Sequence, residues 1–434
     1  MSIKKRLQRL TGERPPNNRD LHRDVRIDAL KKRIDFIMAR RPAHTAFSAP
    51  PVGGAPVDIA DIVAGEERSN EHGRFFLVRH TAGASVTHGC RCIGDLASLN
   101  MQAAALLAND PGLASLGCTD GLFLDTETTG LSGGSGTFAF LIGVGWFEGA
   151  TFVTEQIFAR DFSEERAALT FLQCLAQEKK FLVTFNGKSF DVSLLATRYI
   201  MNRLPDPLAD LPHLDLLHSS RRLVGHRLDN SRLGTLEREV LGLRRRGDIP
   251  GSEIPQRYFD WLQRRDGRLM GDVFEHNRLD VISMATLMLH LTEILTLDPD
   301  REGYVAHGDI LAAARLLVDR GCGHEGCRLL AVLMSSDDAH SAGEAGRMLS
   351  RVYKQAGRWD EAVDIWHTLH AKDPGDLFAV EELAKWYEHH ERDFARALAL
   401  VRDTLQGSVH LSPVASDALT HRLRRLQRRL GIDS

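Results

Sequence analysis

Gly121-Leu122-Phe123-Leu124-Asp125-Thr126-Glu127-Thr128-Thr129-Gly130 is an apolar, β-prone run that ends in two carboxylates and then in turn-forming residues. Side chains alternate along a strand, so Asp125 and Glu127 are expected on one face. No basic residue in the stretch neutralises them. Like charges this close repel, and a fold that keeps both ionised usually places a cation between them. Taken alone, the pair reads equally well as a strand end dissolving into a polar turn. The rest of the chain decides.

A second apolar run, Phe181-Leu182-Val183-Thr184-Phe185, leads into Asn186-Gly187-Lys188-Ser189-Phe190-Asp191. Leu194, Leu195, Arg198 and Tyr199 follow at helical spacing and put Asp191 in the first turn of a helix. There the helix dipole alone would favour an acid. A third element, from Asp272 through His276 and Asp280 to Leu287, carries apolar residues at helical spacing. His276 and Asp280 stand four apart, so they share one helical face and can reach one site. An ordinary surface pair would have the same spacing.

Jointly, a strand with Asp-x-Glu, then Asn-x-x-x-Phe-Asp, then His-x-x-x-Asp on a late helix resembles the motifs of the DEDD superfamily of 3′→5′ exonucleases. Within it, Asp125-Thr-Glu-Thr-Thr-Gly-Leu-Ser-Gly-Gly134 and the stretch from Leu236-Glu237 to Asp248-Ile-Pro-Gly251 look like the YprB-like, ribonuclease-H-like group. The resemblance spans about residues 121–293. It implies an α/β fold, a ribonuclease-H-like mixed sheet flanked by helices. It also implies a two-ion Mg²⁺ or Mn²⁺ centre, with Asp125 bridging and Glu127, Asp191 and Asp280 completing the shells. Four carboxylates in one pocket need cations, and hard oxygen donors select these ions. The reading requires the four acids to converge with no lysine or arginine head group filling the cleft between them. His276, with an ordinary pKa of about 6.5, suits proton abstraction from water. In the histidine branch of the superfamily four residues separate this histidine from the last aspartate. Here three do, the spacing of the tyrosine branch. Thr128, Asn186 and Lys188 flank the acids and are expected to touch substrate, a single-stranded 3′ end of DNA or RNA.

Three lookalikes are set aside. Gly134-Ser-Gly136-Thr-Phe-Ala139 has the letters of a dinucleotide loop, but Phe138–Phe147 reads as a strand where that loop needs a helix. The glycines are expected to form a turn over the acidic pocket. Gly187-Lys188-Ser189 lacks the upstream glycine of a P-loop, Leu182 standing in its place. Cys322-Gly-His324-Glu-Gly-Cys327 has no second ligand pair at zinc spacing.

The 434 residues have room for two or three domains, and a net charge of −3 requires any nucleic-acid footprint to be local. Basic clusters occur at Lys4–Arg14, Lys31–Arg41, Arg221–Arg232 and Arg244–Arg246, as phosphate contacts or as solvated surface. The expected organisation is a basic arm (1–45), a linker and small α+β extension (46–120), the nuclease domain (121–297), and an all-α helical-hairpin domain (305–434). In the last, Leu349, Tyr353, Trp359 and Ala362 recur as Leu383, Tyr387, Phe394 and Ala397, which looks tetratricopeptide-like and suits a protein partner. Within the nuclease region strands at 121–125, 138–146 and 151–158 suit an antiparallel meander, and the later strand–helix alternation suits parallel additions. A strand near Phe75–His80 and a helix from Leu96 through Leu116 precede it. Asp215 is read as structural. No secretory or membrane-spanning run is visible, and six cysteines show no disulfide framework, so a reducing cytoplasm is expected. The alternative to a metal-dependent exonuclease is a catalytically silent nuclease-like fold that binds nucleic acid or serves as a scaffold through its repeats.

Overall fold

Successive side chains on residues 122–124 go to different cores. Leu122 and Leu124 join one apolar cluster and Phe123 another, so both faces of their strand are covered. The computed structural model describes residues 55–130, 136–297, 306–407 and 411–432. The basic clusters before residue 42, the linker before residue 55 and Gly134 lie outside the described residues.

The strands are β1 (Gly65–Asn70), β2 (Gly73–Ala82), the short pair β3 (Thr87–His88) and β4 (Arg91–Cys92), β5 (Gly121–Thr128), β6 (Ala139–Glu148), β7 (Thr151–Phe158), β8 (Phe181–Thr184) and β9 (His213–Asp215). The helices around them are α1 (Met101–Ala108), α2 (Glu165–Ala176), α3 (Asp191–Met201), α4 (Leu216–Leu223), α5 (Leu233–Glu239), α6 (Ile254–Arg264) and α7 (Gly271–Leu295). A sheet of 7 strands runs in the order β1-β2-β7-β6-β5-β8-β9. The β5–β6–β7 meander is antiparallel, whereas β8 and β9 add in parallel. The expected mixed sheet is therefore present, and β2, foreseen near Phe75–His80, extends it by pairing with β7. The continuous helix foreseen over Leu96–Leu116 is corrected. Asn109 takes a left-handed φ of 57° after α1, and Asp110-Pro111 starts a separate 3₁₀ turn.

Helix α7 fixes the architecture. Its first turns pack Val273 and Phe274 into one core, and Val281 through Leu295 line the other. It lies against β5, β6 and β7. Two glycines of β6 admit it. A Cβ on Gly145 would lie 2.6 Å from both Val281 Cγ1 and Phe152 Cζ, and one on Gly143 would meet the Asn277 amide at 2.2 Å.

Past α7 come α8 (His307–Asp319), α9 (Gly323–Met334), α10 (Ala339–Gln355), α11 (Trp359–Lys372), α12 (Leu377–Trp386), α13 (Phe394–Gly407) and α14 (Pro413–Leu430), each packed on the next. The recurring Leu349, Ala362, Leu383, Tyr387 and Ala397 are all buried. Among the described residues no helix is long and apolar enough to cross a membrane.

Adding one methyl at Gly145 overpacks the α7–β6 contact. Gly145→Ala is expected to lower unfolding free energy by about 1–3 kcal/mol in urea titration. An unchanged midpoint would show that α7 does not depend on this close approach.

Candidate active site

Asp125 and Glu127 lie near the carboxyl end of β5, the strand at which antiparallel pairing gives way to parallel pairing. Carboxyl ends of strands are where α/β sheets place ligands. By alternation both acids share the face of Phe123, the face packed by α7. The gap at Gly143, directly opposite Asp125, lets fully buried Asn277 approach. Its Nδ2 donates to Asp125 Oδ2 at 2.8 Å, and its Oδ1 accepts from Gln156 Nε2 at 2.9 Å. Gln156 also donates to the Phe274 carbonyl at 2.7 Å, which ties β7, β5 and α7 together beneath the acid.

Asp191 opens α3, as foreseen. Its Oδ1 accepts from the Thr126 amide at 3.1 Å and from the Thr126 hydroxyl at 2.5 Å, so β5 itself holds the third acid. Asp280 and His276 come from α7. The four acids converge electrostatically, since Asp280, Glu127 and Asp191 all act on Asp125.

That convergence is visible in their proton affinities. Burial, then repulsion from Asp280, Glu127 and Asp191, raises the Asp125 carboxyl well above the usual range. Glu127 is pushed up to about 8, mainly by burial, with Asp280, Asp191 and Asp248 adding and His276 opposing. Asp191 rises to about 6, chiefly through burial, against the Thr126 hydrogen bonds. A set of hard oxygen donors with this shortage of positive charge fits a divalent cation.

The cleft was expected to be free of basic head groups, and this is corrected. Arg245, foreseen as surface or phosphate contact, is only 9% exposed at its side chain. It bonds Asp280 Oδ1 and Glu237 Oε1 through Nη2, and Asp248 Oδ2 through Nη1 at 3.3 Å. Glu237 is buried at 1% exposure and also accepts from Ser283, whose hydroxyl meets His88 Nε2 at 2.7 Å. An unpaired carboxylate there would be costly, and Arg245 satisfies it. Arg245 therefore compensates the Asp280 side, and the largest influences on Asp125, Glu127 and Asp191 do not include it. Among the described residues no three potential ligands gather as a finished metal cage. One oxygen of each of Asp125, Asp191 and Asp280 faces a protein donor.

His276 Nδ1 lies 2.8 Å from Asp248 Oδ1, and Nε2 lies 3.7 Å from Asp280 Oδ2. Burial pulls the imidazole down, but Asp280, Glu127 and Asp248 outweigh it and hold it above its ordinary range. Of the three expected substrate contacts, Lys188 is exposed in the loop that leads to Asp191, and Asn186 adopts a left-handed φ of 67°. Thr128 turns its hydroxyl to the Gly130 carbonyl at 2.8 Å. Asp215 accepts from the Asn186, Lys188 and Leu217 amides, the structural role foreseen for it. Sequence reading missed Asn277, Gln156 and Asp248. For Asn277 a signal existed in the small Gly143-Val144-Gly145 segment of an otherwise bulky strand.

Two comparisons bear on this arrangement. The model of the RNase H superfamily matches residues 122–292, which contain all four acids and His276. The uncharacterized protein YprB of Bacillus subtilis (strain 168) is 34% identical over 315 residues, covering 71% of this chain and 74% of that protein.

The raised carboxyls fix a sign for pH dependence. Each binds its proton more tightly folded than unfolded, so its stabilising contribution is present at low pH. That contribution is lost as pH rises through about 6 for Asp191 and about 8 for Glu127. His276, also raised, acts in the same direction. In EDTA, Tm is therefore expected to fall between pH 5.5 and 8.5, with a shallower fall for Glu127→Gln. Mn²⁺ should raise Tm more at the alkaline end. Parallel Tm–pH curves for the two proteins would contradict the cluster's role.

Proposed function

We propose, for a chain that belongs to the RNase H superfamily and to the same family as YprB, a divalent-metal-dependent nuclease. Its specific reading is a 3′→5′ exonuclease that hydrolyses DNA or RNA. The observation that carries it is the group of half-buried Asp125 and Glu127 with buried Asp191, with no arginine or lysine partner among the described residues, beside Asp280 and His276. Superfamily members generally use divalent metals, and Asp125, Glu127, Asp191 and Asp280 would hold Mg²⁺ or Mn²⁺ here.

When bound, two such ions would polarise the scissile phosphate, activate water and stabilise the departing oxygen. The chain's own residues then have separate tasks. Asn277 fixes one oxygen of Asp125, and the other would be left for a cation. Thr126 does the same for Asp191. Asp248 holds Nδ1 of His276, which leaves Nε2 to take a proton from water once nearby positive charge has lowered the imidazole's affinity. Lys188, exposed in the loop before Asp191, would meet a substrate phosphate. Arg245 holds Asp280 and buried Glu237 together and sets the orientation of the fourth acid. The helical region is read as tetratricopeptide-type hairpins.

The Arg245–Asp280 pair is also the feature that favours a second reading, a catalytically silent member that only binds. One assay separates them. End-labelled single-stranded DNA and RNA are incubated with the protein in Mn²⁺ or in EDTA, with a circular substrate as the control for endonucleolytic cutting. Stepwise shortening in Mn²⁺ alone is expected, abolished by Asp125→Ala or Asp280→Ala in folded protein. His276→Ala should slow it by about 10²–10⁴. Turnover by either aspartate variant at the wild-type rate would refute the assignment, as would intact substrate with the wild-type protein.

A further inference from the structure

Three of the chain's five tryptophans fall between Trp359 and Trp386. In the fold they border one cavity of about 300 Å³ in the helical region, between α10, α11, α12 and α14. Helix α12 does not end regularly. It passes into a π-helical turn, Tyr387–Glu391, closed by Arg392 at a φ of 57°. Such turns are rare and recur at functional sites. This one brings exposed His390 over the cavity, its ring 4.5 Å from Trp386 and stacked on it, and 4.3 Å from Trp359. Trp359 and Trp386 themselves lie 5.6 Å apart and stacked. The result is a set of aromatic plates, half exposed, that the fold does not close over.

Two further features concern polarity. Trp366 is buried at 1% exposure, lines the cavity, and its Nε1 finds no hydrogen-bond partner among the described residues. A buried N–H without an acceptor calls for one. The rim is basic: buried Glu388 is shared by Arg422 and Arg425, and buried Glu382 by Lys354 and Lys385, the last also reaching Glu381. Glu381 and Glu382 together balance Lys354 and Lys385, whereas Glu388 can neutralise only one of its two arginines. Helix α14, which supplies the two arginines, also carries Arg424, Arg428 and Arg429 against the single acid Asp417.

We propose that this cavity binds an unpaired nucleobase of single-stranded nucleic acid. The base stacks on Trp386 and His390, an acceptor on its edge takes the Trp366 N–H, and the flanking phosphates meet Arg422, Arg425 and the outer arginines of α14. Stacking plates with a positive groove are how single strands are held without sequence preference. The site is separate from the carboxylates and retains substrate while its end is processed. The choice of nucleic acid over an acidic protein tail rests on the nuclease reading.

The test uses the full chain in EDTA, where binding is read without cleavage. A fluorescein-labelled single-stranded oligonucleotide, as DNA and as RNA, is titrated by anisotropy with intrinsic tryptophan emission recorded in parallel. Wild-type protein should bind with quenching, and affinity should fall with added salt. Trp386→Ala and His390→Ala should each weaken binding by about tenfold or more, whereas Trp386→Phe, which keeps a plate, should retain most of it. His390 is exposed, so its variant reports on binding with the fold intact, and circular dichroism checks both alanine variants. Equal affinity for wild type and His390→Ala would overturn the proposal. So would an acidic peptide that quenches emission where oligonucleotides do not, since that assigns the cavity to a protein partner. Cleavage in Mn²⁺ is scored separately on short oligonucleotides, which the variants should cut at the wild-type rate. Weakened binding in the variants of a protein that never cleaves would sink the nuclease reading and leave this site standing.

Discussion

The molecule is organised around a repulsion it keeps. Asp125, Glu127 and Asp191 are gathered at the end of β5, where burial, with charge from neighbouring acids, raises the proton affinity of each. Water would disperse that charge, and an apolar replacement would remove it. The fold does neither. It spends polar scaffolding on the arrangement instead: Asn277 and Gln156 under Asp125, Thr126 under Asp191, and Arg245 with Glu237 beside Asp280. A protein with no use for concentrated negative charge gains nothing from such support.

Geometry follows from helix α7. Its apolar half is core shared with the sheet and the first helices of the C-terminal region. Its first half crosses the acidic end of β5 and supplies Asn277, His276 and Asp280 within two turns. Because Gly143 and Gly145 remove side chains from the strand it crosses, the helix sits close enough for an amide to reach Asp125. Register along β5 and rotation of α7 are thereby coupled, so packing far from the pocket sets the distance between acids.

Much of this was legible in the chain, for physical reasons that differ from residue to residue. Asp125 and Glu127 show themselves locally, through period-two alternation at the end of an apolar strand. Asp191 shows itself as a first-turn acid, and Asp280 through its spacing from His276. The order of the meander and the parallel additions followed from connection lengths. Arg245 could not be read, because a run of three arginines looks like solvated surface. Its partners Glu237 and Asp280 meet it only through folding, Asp280 from 35 positions away. Asp248 was hidden likewise, 28 positions before His276. The helix at Leu96–Leu116 failed because apolar periodicity continued across Asn109-Asp110-Pro111, where backbone constraints overrule it. The π-helical turn after Trp386 left no mark in the pattern, since the residues forming it are ordinary helix residues.

Direct observation of the ion tests the central claim most simply. Mn²⁺ titrated into the protein at pH 7.5 can be followed by loss of the free-ion electron paramagnetic resonance signal, for wild type and for Asp125→Asn. Saturable binding by the wild type, lost or greatly weakened in the variant while both remain folded, is the result this account requires. Identical isotherms for the two proteins, or a free-ion signal undiminished by the wild type, would contradict it.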